Sequence, residues 1–403
     1  ALVAQGLEGK NVLDAAGCIV GPGLVDLHTH LRQPGREEAE TVESGSRAAA
    51  LGGYTAIIAM PNTEPTIDNA AVVREVLALG ATALCDVHVA GAITVGRAGD
   101  RLAPMAEMAD LGVRLFTDDG AGVQDGRLMR RAFEYACGLA VTLAQHCEDD
   151  CLAAGGQMHE GEWSSRLGIA GMPAEAEQVM ILRDLALARL TGGRIHFMHV
   201  STAGSVEILR AARRLPTDAG EIAWVNFTCE AAPHHFTLTD ADVAGYDPLY
   251  KVNPPLRSPG DVAAIKAAIK DFTIDAIATD HAPHAAEAKE APFDEAPPGM
   301  IGLETALALA ITELDLTEQQ IFDRMSARPA TIAGLTGQQG VWVEKGAPAN
   351  LCVVDPAAQW IVDPAAGASK SRNTPFAGRK LTGKVRHTIL GGEPVVLDGV
   401  AQR

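Results

Sequence analysis

The sequence predicts an α/β fold: a closed parallel (β/α)8 barrel of the TIM type, with a small β-sandwich module formed by the N- and C-terminal segments. Three observations predict it. Short apolar, β-branched runs alternate with helical stretches eight times over roughly 310 residues. Several of these runs end in His or Asp, at the place where barrel enzymes keep their chemistry. After about residue 334 the texture changes to short strands separated by Gly, Pro and Asp. The 403 residues allow one large domain or two to three ordinary ones. The boundaries are set at 21–334 for the barrel and at 1–20 plus 335–403 for the module. The module is expected to lack its first strands, because the chain starts abruptly and without Met.

The barrel strands are read at Gly23–Asp26, Tyr54–Ala59, Leu84–Val89, Val113–Phe116, Val141–Ala144, Ile195–Met198, Ile222–Phe227 and Ile274–Ala278. Between them Glu37–Leu51, Asn69–Leu79, Arg101–Asp110, Gly126–Gly138, Ala174–Leu190, Gly204–Arg214 and Asp261–Lys270 carry helix formers with apolar residues three or four apart. An open doubly wound sheet shares this alternation, and eight strand–helix units favour closure. The module is read from a strand within Asn11–Val20 and from Gly340–Val343, Leu351–Val354, Trp360–Val362, Lys384–Leu390 and Pro394–Leu397. The loop Ala282–Gly299 is long and rich in Pro and Ala, the profile of a functional or mobile loop.

Composition narrows the function. Hydrophobic residues are 47% and aromatics 4%, so a large core is built mostly from Ala, Val, Leu and Ile. Asp and Glu number 51 against 33 Lys and Arg, a net charge of −18, which argues against nucleic-acid and membrane-surface binding. An anionic small substrate needs local Arg or metal to overcome that field. Seven scattered cysteines without a framework, and no signal peptide or spanning segment, predict a cytoplasmic protein with reduced thiols.

The most informative segment is GPGLVDLHTHLR, residues 21–32. His28 and His30, two apart on a strand, face the same side and can reach one ion. Other strand ends supply Asp118-Asp119, His146, His199 and Asp280. If the barrel closes, four His and two Asp converge, a mixed N and O set suited to one or two divalent ions, foremost Zn2+. His234-His235 competes as a ligand source. Cys147 and Cys151 lack a second pair and read as helix-start thiols. His88, His159 and His387 read as structural or exposed, and Asp26 as a residue that orients a ligand.

GPGLVDLHTHLRQPG, MPNTEP, FTDDG, HCED, SRLGIAGMPAEAE, HVST, KVNPPLR, TDHAPH and PPGMIGLET together resemble the dihydroorotase family of the amidohydrolase superfamily, in its longer bacterial form, from about Asn11 onward. The resemblance implies that His28 and His30 bind a first zinc, that Asp119 bridges to a second, and that His146 and His199 hold that second ion. It implies that Asp280 is both ligand and catalytic acid/base. Asp118 and Asp119 face opposite ways on a strand; Asp119 is preferred for its spacing to His146 and its place nearer the strand end. Many relatives carry a carboxylated Lys on strand four, where this chain has Asp.

The implied substrates are dihydroorotate and N-carbamoyl-L-aspartate. Arg32 can clamp a carboxylate in bidentate fashion, with His30, Asn62 and His284 beside it. Asn253 and the backbone at Pro298-Gly299 would hold the ring amides; relatives usually have an aromatic residue where this chain has Pro298. The implied reaction is reversible, metal-assisted opening and closing of a cyclic amide in pyrimidine biosynthesis. The competing activities are those of a hydantoinase, dihydropyrimidinase or allantoinase. A non-catalytic subunit of an aspartate carbamoyltransferase complex is a further reading. The resemblance also implies a homodimer, with association to that transferase as an added partner.

Overall fold

The computed structural model describes residues 12–213 and 226–402. Eight parallel strands form the barrel: β1 (Leu24–Thr29), β2 (Tyr54–Ala59), β3 (Asp86–Val89), β4 (Leu115–Thr117), β5 (Thr142–Gln145), β6 (Ile195–Phe197), β7 (Phe227–Ala231) and β8 (Ala276–Ile277). Register runs β1-β2-β3 in one run and β4-β5-β6-β7-β8 in the other. Two parallel bridges join the runs into a ring, Gly91 with Phe116 and Thr29 with His281. Their backbone bonds are Thr117 N–H to Gly91 O at 2.8 Å and His30 N–H to His281 O at 2.9 Å. Closure therefore rests on main-chain bonding, which removes both sheet edges.

Helices α1 (Val42–Leu51), α2 (Ala70–Gly80), α3 (Met105–Ala109), α4 (Gly126–Leu139), α5 (Glu175–Thr191), α6 (Ala203–Ala212), α7 (Pro259–Lys270) and α8 (Ala306–Glu313) follow the strands in turn. Several have side-chain caps that explain their starts. Thr41 accepts from Ser44 N–H at the head of α1, Asn69 caps α2, Asp125 caps α4 and Ser258 caps α7. The Thr41 cap is why α1 begins at Val42 and not at Glu37.

The core has two parts. A large cluster fills the space between strands and helices. A smaller one joins Val25 and Leu27 of β1 with Ala56 and Ile58 of β2, Leu115 of β4, Ala144 of β5 and Ala276 of β8. Strands on opposite sides of a ring meet only through its interior, and the Ala-rich lining fits that narrow space. The strands approach closely at the base. A Cβ on Gly23 would lie 2.2 Å from Thr55 Oγ1, so a side chain is excluded there.

Three expectations need correction. The seventh strand is Phe227–Ala231; of the predicted Ile222–Phe227, residues 222–225 lie outside the described residues. Glu230 within this strand made it read as polar. Gly340–Val343 is not a strand, and Trp342 and Val343 are exposed. Leu351–Val354 and Trp360–Val362 are not two strands, because Leu351–Ile361 is continuous with an irregularity between Asp355 and Gln359. There Asp355 accepts from Ala357 and Ala358 N–H and bends the chain. That strand lies in a five-stranded antiparallel sheet ordered Ile19–Pro22, Leu351–Ile361, Lys380–Leu390, Glu393–Leu397 and Val400–Ala401. No helix among the described residues is long and apolar enough to cross a membrane.

Candidate active site

The C-terminal ends of the barrel strands bring the His and Asp residues together. From Asp26 to Thr29, β1 advances three residues while β2 advances two, from Ile57 to Ala59. This bulge re-aims the chain just before the His pair. The backbone is also unusual here. Arg32, Arg97, His199 and Asp280 have φ of 61°, 55°, 31° and 49°, a region that side-chain-bearing residues rarely adopt. Such conformations cost on the order of 1–3 kcal/mol each and persist where the surroundings impose them.

The cluster is buried and acceptor-rich. His28 Nε2 lies 3.3 Å from Asp119 Oδ1 and 3.5 Å from Asp280 Oδ1. His30 Nε2 lies 3.5 Å from Asp119 Oδ2 and 3.3 Å from Asp280 Oδ1. His199 Nε2 is 3.9 Å from Asp119 Oδ1 and 2.9 Å from His146 Nδ1. The donor atoms of His28, Asp119 and His199 lie within 4.8 Å of one another, and so do those of His28, His30 and Asp280. His28 Nε2 is buried without a hydrogen-bond partner between two carboxylates. An orphaned ring nitrogen facing two carboxylates at these separations fits a divalent cation, and N/O donors suit zinc.

The electrostatics agree with that reading. Burial pushes the Asp119 and Asp280 carboxyls up, but the surrounding imidazoles outweigh it and hold both below the usual carboxylate range. Burial pushes His28 down, and Asp119 and Asp280 more than reverse this, so it is lifted well above an ordinary imidazole. His146, buried beside Asp119 and Glu148, is lifted to about 10. These are signatures of a site organised around positive charge.

Asp118 is separated from this cluster. Its carboxylate accepts from Ile93 and Thr94 N–H, both at 2.9 Å, and from the Thr94 hydroxyl. Asp26 does not orient a ligand as expected. It accepts from Thr279 N–H at 2.8 Å and from the Thr29 and Thr279 hydroxyls, tying β1 to the end of β8 one layer below. The residue that orients His28 is Glu230, which lies 3.2 Å from His28 Nδ1 and 3.0 Å from His196 Nε2. The sequence reading missed it because strand seven was misplaced. A Glu directly after Cys229 in a short, otherwise uncharged run was the available signal. His234 Nε2 is buried 3.8 Å from Asp280 Oδ2, whereas His235 turns away to Pro254 O. Cys147 is buried, and Cys151 is exposed on the short helix Asp150–Ala153.

The residues expected to bind substrate surround the cluster. Arg32 is buried, with Nε donating to Pro283 O at 3.1 Å and its NH2 3.5 Å from His284 Nε2. No carboxylate of the described residues lies within 4 Å of it. Asn62 Oδ1 is 2.9 Å from His30 Nδ1, which fixes the ring and leaves His30 Nε2 toward the carboxylates. Asn253 has a buried, unpartnered Oδ1 and its Nδ2 3.4 Å from His146 Nε2. It lines a cavity of ≈ 340 Å³ with Glu148, Lys251, Met172 and Pro298. The expected backbone donor at Pro298-Gly299 is not free: Gly299 N–H donates to Lys251 O at 2.8 Å, and Pro has no N–H. His284 Nε2 meets Pro298 O at 2.8 Å. Burial and then Arg32 push this ring down to about 3, so it is neutral.

Comparison with known proteins accords with this arrangement. The profile of a family described as dihydro-orotase-like matches residues 17–205. A dihydroorotase of Pelotomaculum thermopropionicum is 50% identical over 396 residues, covering 97% of this chain and 90% of that protein. Dihydroorotases of Streptomyces coelicolor and Mycobacterium tuberculosis are 49% and 48% identical over 97% and 96% of this chain, and 91% and 90% of theirs. Among solved structures, an L-hydantoinase of Arthrobacter aurescens superposes with a TM-score of 0.86 at 25% identity, covering 98% of this chain and 89% of its own. A D-hydantoinase does so at 0.83 and 23%, with the same coverage, and shares the fold.

Proposed function

Because this chain belongs to the dihydroorotase family, we propose that it catalyses the reversible cyclisation of N-carbamoyl-L-aspartate to L-dihydroorotate and water, a zinc-dependent step of pyrimidine biosynthesis. The observation that carries this reading is the full-length likeness to dihydroorotases, joined to a buried guanidinium without a carboxylate partner beside a His/Asp cluster. Hydantoin-type rings lack the carboxylate that Arg32 would bind, which disfavours the same chemistry on those rings. A non-catalytic subunit is disfavoured because His28, His30, Asp119, His146, His199 and Asp280 are all present.

Those six residues would hold one or two zinc ions. When bound, such an ion lowers the pKa of water from ~15.7 to about 7 and polarises a carbonyl. The chain's own part is binding, orientation and proton movement. Arg32 and Asn62 hold the substrate carboxylate, with His284 beside them, and Asn253 meets a ring amide. Asp280, ionised at neutral pH, takes a proton from the attacking water. It then delivers that proton to the ring nitrogen as the C–N bond breaks; in the reverse direction it takes the proton from the ureido nitrogen as the C–N bond forms and passes it to the carboxyl oxygen that leaves as water. Glu230 holds His28 in place throughout.

The test is carbamoyl-aspartate formation from dihydroorotate by the purified protein. Turnover should disappear on chelation and return with zinc, and Asp280→Ala should abolish it while the fold persists. A metal-loaded protein inert to dihydroorotate but active on a carboxylate-free ring would overturn the substrate assignment. We also read the protein as cytoplasmic, as a homodimer and as a partner of aspartate carbamoyltransferase. The first rests on the cysteine pattern and the two assembly readings on the family, and size-exclusion chromatography with and without the transferase tests the latter two.

A further inference from the structure

We propose that Arg97 is a second guanidinium of the substrate-carboxylate site, presented by a loop that Asp118 anchors. The inference rests on the reading of the site as one that takes dihydroorotate.

Arg97 stands beyond β3, on a tight turn at Val95–Arg97. Its Nε is buried without a hydrogen-bond partner. No carboxylate of the described residues lies within 4 Å of its guanidinium, in a chain where acidic residues outnumber basic ones by 51 to 33. A buried, unpaired donor on a cation is costly unless something else satisfies it. The nearest open space points to what that is. A Cβ built on Gly120 would stand 3.7 Å from an Arg97 terminal nitrogen and 3.9 Å from Asn62 Nδ2, with no third neighbour within 4 Å. Gly120 follows Asp119, so the two donors flank an open gap at the rim of the His/Asp cluster. Gly120 keeps the gap clear, and its own φ of +80° suits glycine.

The loop is held for this purpose from both sides. Asp118 accepts from Ile93 and Thr94 N–H and from the Thr94 hydroxyl, and that hydroxyl accepts from Gly99 N–H at 3.0 Å. Asp68 accepts from Gly96 N–H at 2.8 Å. Arg97 N–H closes the turn onto Thr94 O at 3.0 Å, with Arg97 itself at φ 55°. Strained backbone that aims a charged side chain is a recurring feature of ligand sites. Arg32 and Arg97 each lack a carboxylate within 4 Å among the described residues, and Asn62 stands across the Gly120 gap from Arg97 and against His30, so an anion at this rim meets more than one donor. Asp118 does not take up the Arg97 guanidinium: its oxygens accept three hydrogen bonds from Ile93 and Thr94, and no ion pair within 4 Å joins the two side chains.

The experiment compares wild type, Arg97→Gln and Arg97→Lys, each loaded with zinc, for hydrolysis of dihydroorotate. Melting temperature and metal content are measured on the same samples. Arg97→Gln should raise KM on the order of ten- to a hundredfold, the range of a charge-assisted hydrogen bond, with kcat changed far less. Arg97→Lys, which keeps the charge but loses the planar fork, should fall between. An unchanged KM in Arg97→Gln overturns the proposal. If Arg97→Gln loses metal or melts early, Arg97→Lys decides: a raised KM at wild-type melting temperature supports the proposal, and a wild-type KM assigns Arg97 a structural role and overturns it. Wild-type inertness toward dihydroorotate is a different result, and it would sink the function and not the geometry.

Discussion

Glu230→Gln isolates the part of the site that positions a ligand without touching substrate. Glu230 is 1% exposed and accepts from two imidazoles, His28 Nδ1 at 3.2 Å and His196 Nε2 at 3.0 Å. A carboxylate is acceptor-only, so it requires a proton on both nitrogens and leaves the His28 Nε2 lone pair facing Asp119 and Asp280. Gln keeps the shape but must present its NH2 to one of the rings. Toward His28 it forces the proton onto Nε2 and removes the ligand lone pair. Toward His196 it forces that ring to protonate Nδ1 and donate to Thr228 Oγ1, now 2.8 Å away. The second route is open, so the loss is partial: about ten- to a hundredfold in zinc affinity, or ~1.4–2.7 kcal/mol.

A second readout follows from the acid titration of the same group. Burial pushes the Glu230 carboxyl up, but hydrogen bonds from His196 and His28 and their charge hold it down at about 2, against 4.5 when free. A depressed folded pKa contributes stability above the free value that is lost as pH falls through the folded one. That is about 3 kcal/mol between pH ~4.5 and ~2 in wild type, absent from the variant. The assays are competitive chelator titration at pH 7 and denaturant unfolding across the acid range. Superimposable chelator curves for the two proteins would refute the reasoning.

Asp118→Ala should cost about 3–5 kcal/mol in denaturant unfolding by stranding the donors at Ile93 and Thr94, and should raise KM while zinc stays bound. Zinc loss as complete as in Asp119→Ala would show that Asp118 belongs to the metal cluster. Lys289→Met removes donors to Pro248 O and Pro297 O, at 3.0 and 2.8 Å, that pin the loop after β8. Burial and then Lys251 push the Lys289 ammonium down to about 7 from 10.5, so the folded state binds fewer protons than the unfolded one between those values. Wild-type stability relative to the variant should therefore rise with pH across that window, and a pH-independent difference would refute the burial argument.

The legible parts of this molecule are those in which one strand's own residues carry the signal. His28-Thr-His30 shows its spacing directly, and the apolar runs of β2, β5 and β6 need no partner to be recognised. Asp119 is separable from Asp118 in the sequence through the family spacing and its place nearer the strand end, and the reason emerges in three dimensions. One carboxylate faces the imidazoles, and the other is spent on Ile93 and Thr94 N–H. Glu230 was hidden because its role depends on His28, 202 residues away, and because a Glu inside a short strand breaks the apolar pattern. The continuous strand Leu351–Ile361 was split because Asp355-Pro356 reads as a turn, whereas in the sheet it is a bend within one ladder.

Arg32 and Arg97 show where pattern ends and geometry begins. A sequence of net charge −18 predicts that arginines find carboxylates, and many here do: Arg47, Arg130, Arg183, Arg213, Arg379 and Arg386 all sit within 4 Å of one. Arg324 is fully buried and still pairs with Asp323 at 2.6 Å. Arg257 is buried and also lacks a carboxylate within 4 Å, but its guanidinium is taken up by Ser201 Oγ, His159 Nδ1 and Met172 O. Arg32 is buried with a backbone carbonyl as its one short contact, and Arg97 keeps a buried nitrogen unsatisfied. A buried guanidinium nitrogen without a partner costs free energy, and an anion bound beside it recovers that cost. On the proposed reading, a ring acid therefore gains binding at Arg32 and Arg97 that a ring without a carboxylate lacks.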